Sequence, residues 1–227
     1  MRGPLPCHHP VKPDDPDVGA KNFSPLHDDR NIEGVDAPPP IIHDNAMNEY
    51  TLRLIARARE LGIETCVEFD TFLLKPEQRI RDLCRENKCG KFKNHYMCPP
   101  YTGSLKSIEE KLLEFRKGIL LQYSNPLDVK NDAAGLTQSK LEFHEKILAL
   151  EHYADRCGLP RAMGMIGGSC ELCETCKVVT KEPCPYPAKA RMSLESIAID
   201  VMALLKHLGL ESEFRPDRIK WTGCVLF

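Results

Sequence analysis

The sequence predicts an α/β or α+β fold, a single compact domain in which helices pack on a small sheet and two cysteine loops are inserted between elements. Stretches with helical periodicity alternate with short apolar runs that are typical of buried strands. Glycine, proline and capping residues stand at the ends of these stretches. With 42% hydrophobic and 28% charged residues, the chain has the composition of a globular protein.

Five segments have the pattern of helices and up to five have the pattern of strands. The predicted helices cover 48–61, 76–84, 104–117, 137–157 and 193–208. The predicted strands cover 65–69, 119–123, 162–166 and, near the end, one or both of 211–214 and 219–227. Ser104, Thr137 and Ser193 are the expected N-caps, and Gly62, Gly118 and Gly209 are the expected helix ends.

The first 46 residues differ in composition from the rest of the chain. They contain nine of the 18 prolines and four of the eight histidines, and they carry eight acidic against four basic residues. Such a segment has too little apolar surface to offset the entropy lost on ordering. We therefore predict a disordered, proline-rich leader over residues 1–46 and a cysteine-rich metal-binding domain over residues 47–227.

Charge and hydropathy argue against two classes of partner. The formal net charge of −2 does not indicate nucleic-acid binding. Apolar runs such as Gly118–Leu121 are far shorter than the roughly 20 residues that span a bilayer, so no membrane insertion is expected. The first residues lack the apolar segment of a secretory signal, which predicts a cytoplasmic protein. A homodimer is compatible with the sequence.

The chain has 11 cysteines, which is the most unusual feature of its composition. Disulfide frameworks are typical of small exported proteins with an even number of cysteines. An odd number and close spacing in a chain without an export signal favour metal binding instead.

The second group of cysteines gives the stronger signal. Cys170, Cys173 and Cys176 are spaced two residues apart, and Cys184 follows and precedes a proline. This is the C-x2-C-x2-C…C-P arrangement of bacterial ferredoxins with a longer last gap, and it predicts a [4Fe–4S] cluster. A structural zinc site is the alternative, although zinc sites more often contain two separated C-x2-C pairs.

The first group contains only three cysteines, Cys84, Cys89 and Cys98. Two interpretations stay open at this point. A fourth ligand could come from elsewhere in the chain, or a second cluster could keep one iron open to substrate. The candidate fourth ligands are Cys66, Cys157, Cys224 and His95.

The loop that carries the first group is basic, because it contains Arg85, Lys88, Lys91 and Lys93. These charges either offset the negative charge of thiolates or attract an acidic redox partner such as a ferredoxin. The leading hypothesis is therefore an iron–sulfur protein, with one or two [4Fe–4S] clusters, that exchanges electrons with a protein partner. The alternatives are a zinc-binding adaptor and an enzyme with an open iron at the three-cysteine group.

Four motifs occur in order along the chain: Asn87-Lys-Cys89-Gly90, Met97-Cys98-Pro-Pro-Tyr-Thr-Gly103, Gly167-Gly-Ser-Cys170-x2-Cys173-x2-Cys176 followed by Pro183-Cys184, and Met192-Ser-Leu-Glu-Ser196. Together they resemble the cysteine-rich predicted metal-binding proteins grouped as a domain of unknown function, which occur largely in anaerobic bacteria and archaea. The resemblance runs from about residue 48 to residue 227. It implies metal binding by the two cysteine groups and implies no particular reaction.

Overall fold

The computed structural model describes residues 44–227, with side chains from residue 49 onwards. The predicted leader over residues 1–46 lies almost entirely outside the described residues. Five helices occur in the described part: α1 (Asp44–Glu60), α2 (Gln78–Arg85), α3 (Leu105–Leu112), α4 (Ala133–Arg156) and α5 (Val201–His207). The four strands are β1 (Thr65–Asp70), β2 (Lys117–Pro126), β3 (Met163–Met165) and β4 (Arg218–Leu226). Short 3₁₀ turns cover Thr71–Leu73, Lys177–Thr180 and Glu195–Ile197.

The four strands form one sheet in the order β1-β2-β4-β3, and all neighbours are antiparallel. The fold is therefore α+β, one of the two predicted classes. The longest strand, β2, pairs with β1 over residues 117–122 and with β4 over residues 118–126. At the β3 edge, Ile166 forms one parallel bridge with Ser193 and brings residues 166–170 beside residues 190–193.

Each face of the sheet covers its own apolar core. Ile119, Leu121 and Val225 pack with residues of α1 and α4 on one face. Leu120, Cys224 and Leu226 pack with residues of α3 and α5 on the other face. The alternation follows from the two-residue period of side chains along a strand. The sheet thus provides a rigid support for the loops at its β3 edge.

Several predicted helix boundaries are confirmed and others are wrong. Gly62 ends α1 with a φ of 77°, as expected of a glycine stop. Ser104 caps α3, since its side chain accepts the Ser107 N–H at 3.1 Å. Asp132 rather than Thr137 caps α4, because its carboxylate accepts the Gly135 N–H at 2.7 Å. Gly118 does not end a helix but lies in β2, where a Cβ would come within 2.6 Å of the Phe69 ring.

The single helix predicted over residues 193–208 is also wrong. Ala198 has a φ of 68° and interrupts the segment, and Asp200 then caps the separate helix α5. The strand predicted over residues 211–214 does not form, whereas the one predicted over residues 219–227 corresponds to β4. No helix among the described residues is long and apolar enough to cross a bilayer.

Candidate metal centre

The four cysteines of the second group line one cavity beside the β3 edge. Cys170, Cys173, Cys176 and Cys184 all line a small cavity of about 20 Å³. The opposite wall comes from the first cysteine loop, through the segment His95–Met97. The structure thus brings together the four residues that the sequence groups, although the first and the last are 14 positions apart.

Backbone amides point at two of these sulfurs. The Tyr96 N–H donates to the Cys176 Sγ at 3.4 Å. The amides of Leu172 and Arg191 donate to Cys170. Burial nevertheless raises the pKa of Cys170 to about 11, because these amides only partly offset the loss of water. Such N–H···S contacts stabilise thiolates and are one of the ways in which proteins adjust the potential of an iron–sulfur cluster.

The three cysteines of the first group also lie near one another. Cys84 is in the last turn of α2, Cys89 follows in an exposed turn, and Cys98 is buried. Burial, followed by the charges of Cys89 and Cys84, raises the pKa of Cys98 to about 12. Burial likewise raises the pKa of Cys84, and the Cys89 thiolate raises it further. A bound cation would reverse these shifts, because metal ligation deprotonates a thiol.

Tight turns hold this first loop in place. The Asn87 side chain accepts the Phe92 N–H at 2.9 Å, and its carbonyl accepts the Gly90 N–H at 3.0 Å. Gly90 has a φ of 74°, a conformation that glycine adopts without strain. The Cys98 N–H donates to the His95 carbonyl at 3.0 Å. The loop is therefore built by its own hydrogen bonds, which orient Cys89 and Cys98.

Direct contacts join the two cysteine loops. Tyr96 in the first loop donates its hydroxyl to the Glu182 carbonyl at 2.8 Å. Glu171 in the second loop pairs with Lys91 and with Lys140 of α4, each at 3.2 Å. The charge of Cys170 contributes to the raised pKa of Cys98, which places the two cysteine groups side by side.

Three of the candidate fourth ligands lie on other elements than the first cysteine loop. Cys66 lies on β1, three strand spacings or roughly 14 Å from β3. Cys224 is fully buried among apolar side chains. Cys157 ends α4, roughly 25 Å along the helix from Lys140, which contacts the second cysteine loop.

His95 serves as a link between the loops. Its Nδ1 accepts the Met97 N–H at 3.2 Å, and its ring also contacts the Cys170 backbone carbonyl. Both ring nitrogens are therefore engaged with the backbone. Burial lowers the pKa of His95.

Among residues 49–227, no carboxylate lies beside the buried Arg81 next to the first group. Arg81 is 6% exposed and lies one helical turn before Cys84 on α2. Its Nη1 donates to the Thr102 hydroxyl at 3.2 Å, whereas its Nη2 has no hydrogen-bond partner among the described residues. Burial lowers the pKa of Arg81, and the Cys84 thiolate opposes that shift. An anionic group held by the three cysteines would provide the missing charge, so these residues fit a thiolate-bound cluster.

Most of the basic side chains in the first loop have acidic neighbours. Lys88 pairs with Glu86 at 2.6 Å, and Arg85 pairs with Asp82 at 2.6 Å. Lys91 pairs with Glu171, as described above. The strongly basic docking surface that the composition indicated is therefore partly neutralised by the fold.

Sequence patterns did not identify Arg81, Tyr96 or Glu195 as part of the candidate centre. The three-residue spacing of Arg81 and Cys84 places them on one helix face and could have indicated the first of these. Glu195 was assigned to a continuous helix, and its proximity to Cys84 arises only when α2 packs against the turn Glu195–Ile197.

Within the described part of the chain, no three His, Cys, Asp or Glu side chains converge closely enough to hold a single metal ion.

Comparison with known proteins supplies the family. No curated protein and no solved structure significantly matches the chain. The family model described as "Predicted metal-binding protein (DUF2284)" matches residues 68–227, which include α2, every strand but the first residues of β1, and all seven grouped cysteines. The chain therefore belongs to this family of predicted metal-binding proteins.

Proposed function

We propose that the chain is an iron–sulfur protein that exchanges electrons with a protein partner. In this proposal Cys170, Cys173, Cys176 and Cys184 hold a [4Fe–4S] cluster. Cys84, Cys89 and Cys98 hold a second centre beside it. The observation that carries the proposal is the cavity that all four cysteines of the second group line together.

The sequence spacing of the four cysteines, with two residues between each of the first three, favours a cluster over zinc. A [4Fe–4S] cluster takes one thiolate at each of four irons, whereas a zinc ion draws four thiolates to one point. The amides of Tyr96, Leu172 and Arg191 also suit an anionic cluster, because they donate to sulfurs that stay negatively charged. When bound, such a cluster supplies one-electron redox chemistry.

A partner would reach the second group through the mouth of the cavity. Tyr186 lines the cavity and is 46% exposed, and Val179 in the neighbouring 3₁₀ turn is 56% exposed. Lys177 also lines the cavity. Exposed apolar side chains beside a cation form a surface on which another redox protein can dock.

Metal and sulfide analysis of anaerobically purified protein tests the proposal. We expect brown protein with about eight irons and eight sulfides per chain if both centres are [4Fe–4S] clusters, and about four of each if there is one. Dithionite should bleach the colour and produce the EPR signal of a reduced cluster. Zinc in place of iron, with no acid-labile sulfide, would contradict the proposal.

Arg81 should raise the reduction potential of the centre at the three cysteines, because its buried positive charge favours the more negative, reduced state. We expect Arg81→Met to lower that potential by about 60 mV or more, which is a tenfold change in the reduced-to-oxidised ratio of a one-electron couple. An EPR-monitored redox titration measures the shift. Arg79→Met is the matched control, because Arg79 lies on the same helix but is exposed and pairs with Asp200. An unchanged potential in an intact Arg81→Met protein would refute this role.

A further inference from the structure

Glu171 connects the two cysteine loops with helix α4. We propose that it is a positioning residue, which holds the first cysteine loop against the second and so keeps the Tyr96 N–H in contact with the Cys176 sulfur. The inference rests on the proposed function in one respect, because it takes both loops to be metal-binding. It does not depend on which metal they hold.

Both carboxylate oxygens of Glu171 have partners on different parts of the chain. Oε2 lies 3.2 Å from the Lys91 Nζ in the first cysteine loop, and Oε1 lies 3.2 Å from the Lys140 Nζ of α4. Oε1 also accepts the Ser169 hydroxyl at 2.7 Å. One side chain of the second cysteine loop therefore contacts its own loop, the first loop and a core helix.

These ion pairs are better shielded from water than pairs on an open surface. The side chains of Glu171 and Lys140 are only 19% and 18% exposed, and that of Lys91 is 30% exposed. Exposed ion pairs contribute little to stability, because water and salt screen them. Among residues 49–227, neither lysine has a second acidic partner, so removal of the Glu171 charge leaves two partly buried ammonium groups unpaired.

The side of the network on α4 is fixed by the core. The Lys140 Nζ lies 5.3 Å from the centre of the Trp221 ring, a cation–π contact with strand β4. The Trp221 indole N–H in turn donates to the Ser139 hydroxyl of α4 at 2.9 Å. Lys140 is thus a rigid attachment point, and Glu171 joins the first cysteine loop to it.

The first cysteine loop transmits this attachment to the second group. The Asn94 N–H donates to the Lys91 carbonyl at 3.1 Å, so Lys91 and the following turn move together. Two residues beyond that turn residue, Tyr96 donates its N–H to the Cys176 Sγ at 3.4 Å and its hydroxyl to the Glu182 carbonyl at 2.8 Å. The position of Lys91 therefore determines the position of the Tyr96 amide.

Release of the first loop would change the surroundings of the second group in two ways. Cys176 would lose its N–H donor, and the cavity would lose the wall formed by His95–Met97. Hydrogen bonds to ligand sulfurs and exclusion of water both support a metal–thiolate site. Loss of the Glu171 charge should therefore speed the loss of metal, although no ligand has been removed.

Hydrogen–deuterium exchange of the full-length protein, purified anaerobically with its metal bound, tests the contact directly. The variants are Glu171→Gln, which keeps the shape of the side chain, Lys91→Met and the combination of the two. We expect amides of residues 91–98 to exchange about tenfold faster in Glu171→Gln and in Lys91→Met. The double variant should exchange no faster than Glu171→Gln, because both substitutions break the same interaction. Peptides from β2 should exchange as in wild type.

Two control variants separate the ion pair from a general effect of substitution. Glu174→Gln removes an exposed carboxylate of the same loop that forms no ion pair among residues 49–227, and it should behave as wild type. Lys91→Arg keeps the positive charge and should also keep the wild-type exchange rate. Metal release to a chelator is the second measurement, and we expect it to be roughly tenfold faster in Glu171→Gln than in wild type or either control.

The outcomes distinguish this inference from the proposed function. Wild-type exchange of residues 91–98 in Glu171→Gln would overturn the role of Glu171, and so would an equal acceleration in the β2 peptides, which would indicate general destabilisation. Unchanged metal release in a variant with faster exchange would overturn it as well. Zinc without sulfide in wild type would contradict the iron–sulfur function but not the role of Glu171, because the exchange experiment does not depend on the metal.

Discussion

Glu151→Ala is expected to lower the free energy of unfolding by about 3–5 kcal/mol, the usual effect of breaking a buried ion pair. Glu151 on α4 binds the Arg191 guanidinium through both oxygens, with Nη2–Oε1 at 2.7 Å and Nε–Oε2 at 2.8 Å. The two side chains are only 12% and 7% exposed. The substitution removes the carboxylate that pairs with this buried guanidinium, and it removes the acceptor of the Gly164 N–H, which lies 2.8 Å from Oε2.

The same substitution should also weaken metal binding at the candidate centre. The Arg191 backbone amide donates to Cys170, and its guanidinium also donates to the carbonyls of Ala188 and Ala190 at 3.0 and 2.9 Å. The Arg191 side chain thus fixes the strand-like segment that returns from Cys184 to the sheet. We expect Glu151→Ala protein to lose metal faster than wild type when a chelator is added.

Thermal and denaturant unfolding under anaerobic conditions measures the effect. Trp221 is the only tryptophan and lies on β4, where its indole N–H donates to Ser139 at 2.9 Å, so its fluorescence reports on the core. A loss of 3–5 kcal/mol corresponds to a midpoint lowered by roughly 10 °C in a domain of this size.

Two further variants decide whether charge burial is the cause. Glu114→Ala removes an exposed pair with Lys111 and should change stability by less than about 1 kcal/mol. The double variant Glu151→Leu with Arg191→Met should recover much of the loss, because no unpaired charge stays buried. A double variant as unstable as Glu151→Ala alone would show that the charge is not responsible.

The predicted elements that agree with the structure are those with strong local signals. Helix α3 has both a serine cap and regularly spaced apolar residues. Strand β2 contains a short apolar run that is buried in the sheet. The helical spacing of apolar residues also continues through residues 193–208, yet the segment forms a short 3₁₀ turn and a separate helix instead of one continuous helix. The Ala198 carbonyl accepts the Glu77 N–H at 2.8 Å, a contact over more than a hundred residues that local periodicity cannot reveal.

In the candidate site, too, the sequence reveals the residues with a local signal and not those that depend on tertiary contacts. The seven cysteines stand out in the sequence because thiol spacing is itself the signal for metal binding. The residues around them do not, because Glu195 approaches Cys84, and Arg191 approaches Glu151, only through tertiary packing. Single charged residues at helical spacing usually indicate a solvated face, so Glu151 could not be recognised as buried before the fold was known.

Replacing one cysteine in each group should show whether the chain holds two centres or one. If the groups act separately, Cys176→Ala should remove about half of the iron and Cys98→Ala the other half. The reason is that a cluster missing a thiolate in its own group cannot borrow one from the other, since each group is held by its own loop. If both groups share one centre, either substitution should remove nearly all of the iron.

Cys224→Ala is the matched control for these two variants. Cys224 is fully buried on β4 among Leu120, Leu226 and other apolar side chains, and burial raises the pKa of its thiol. It should therefore pack as a small apolar residue, and its loss should destabilise the core without changing the iron content. Iron and sulfide per chain, measured beside EPR spectra of the reduced proteins, distinguish these cases. A Cys176→Ala protein with full iron and an unchanged spectrum would place the cluster away from the cavity, and the assignment of the second group would then be wrong.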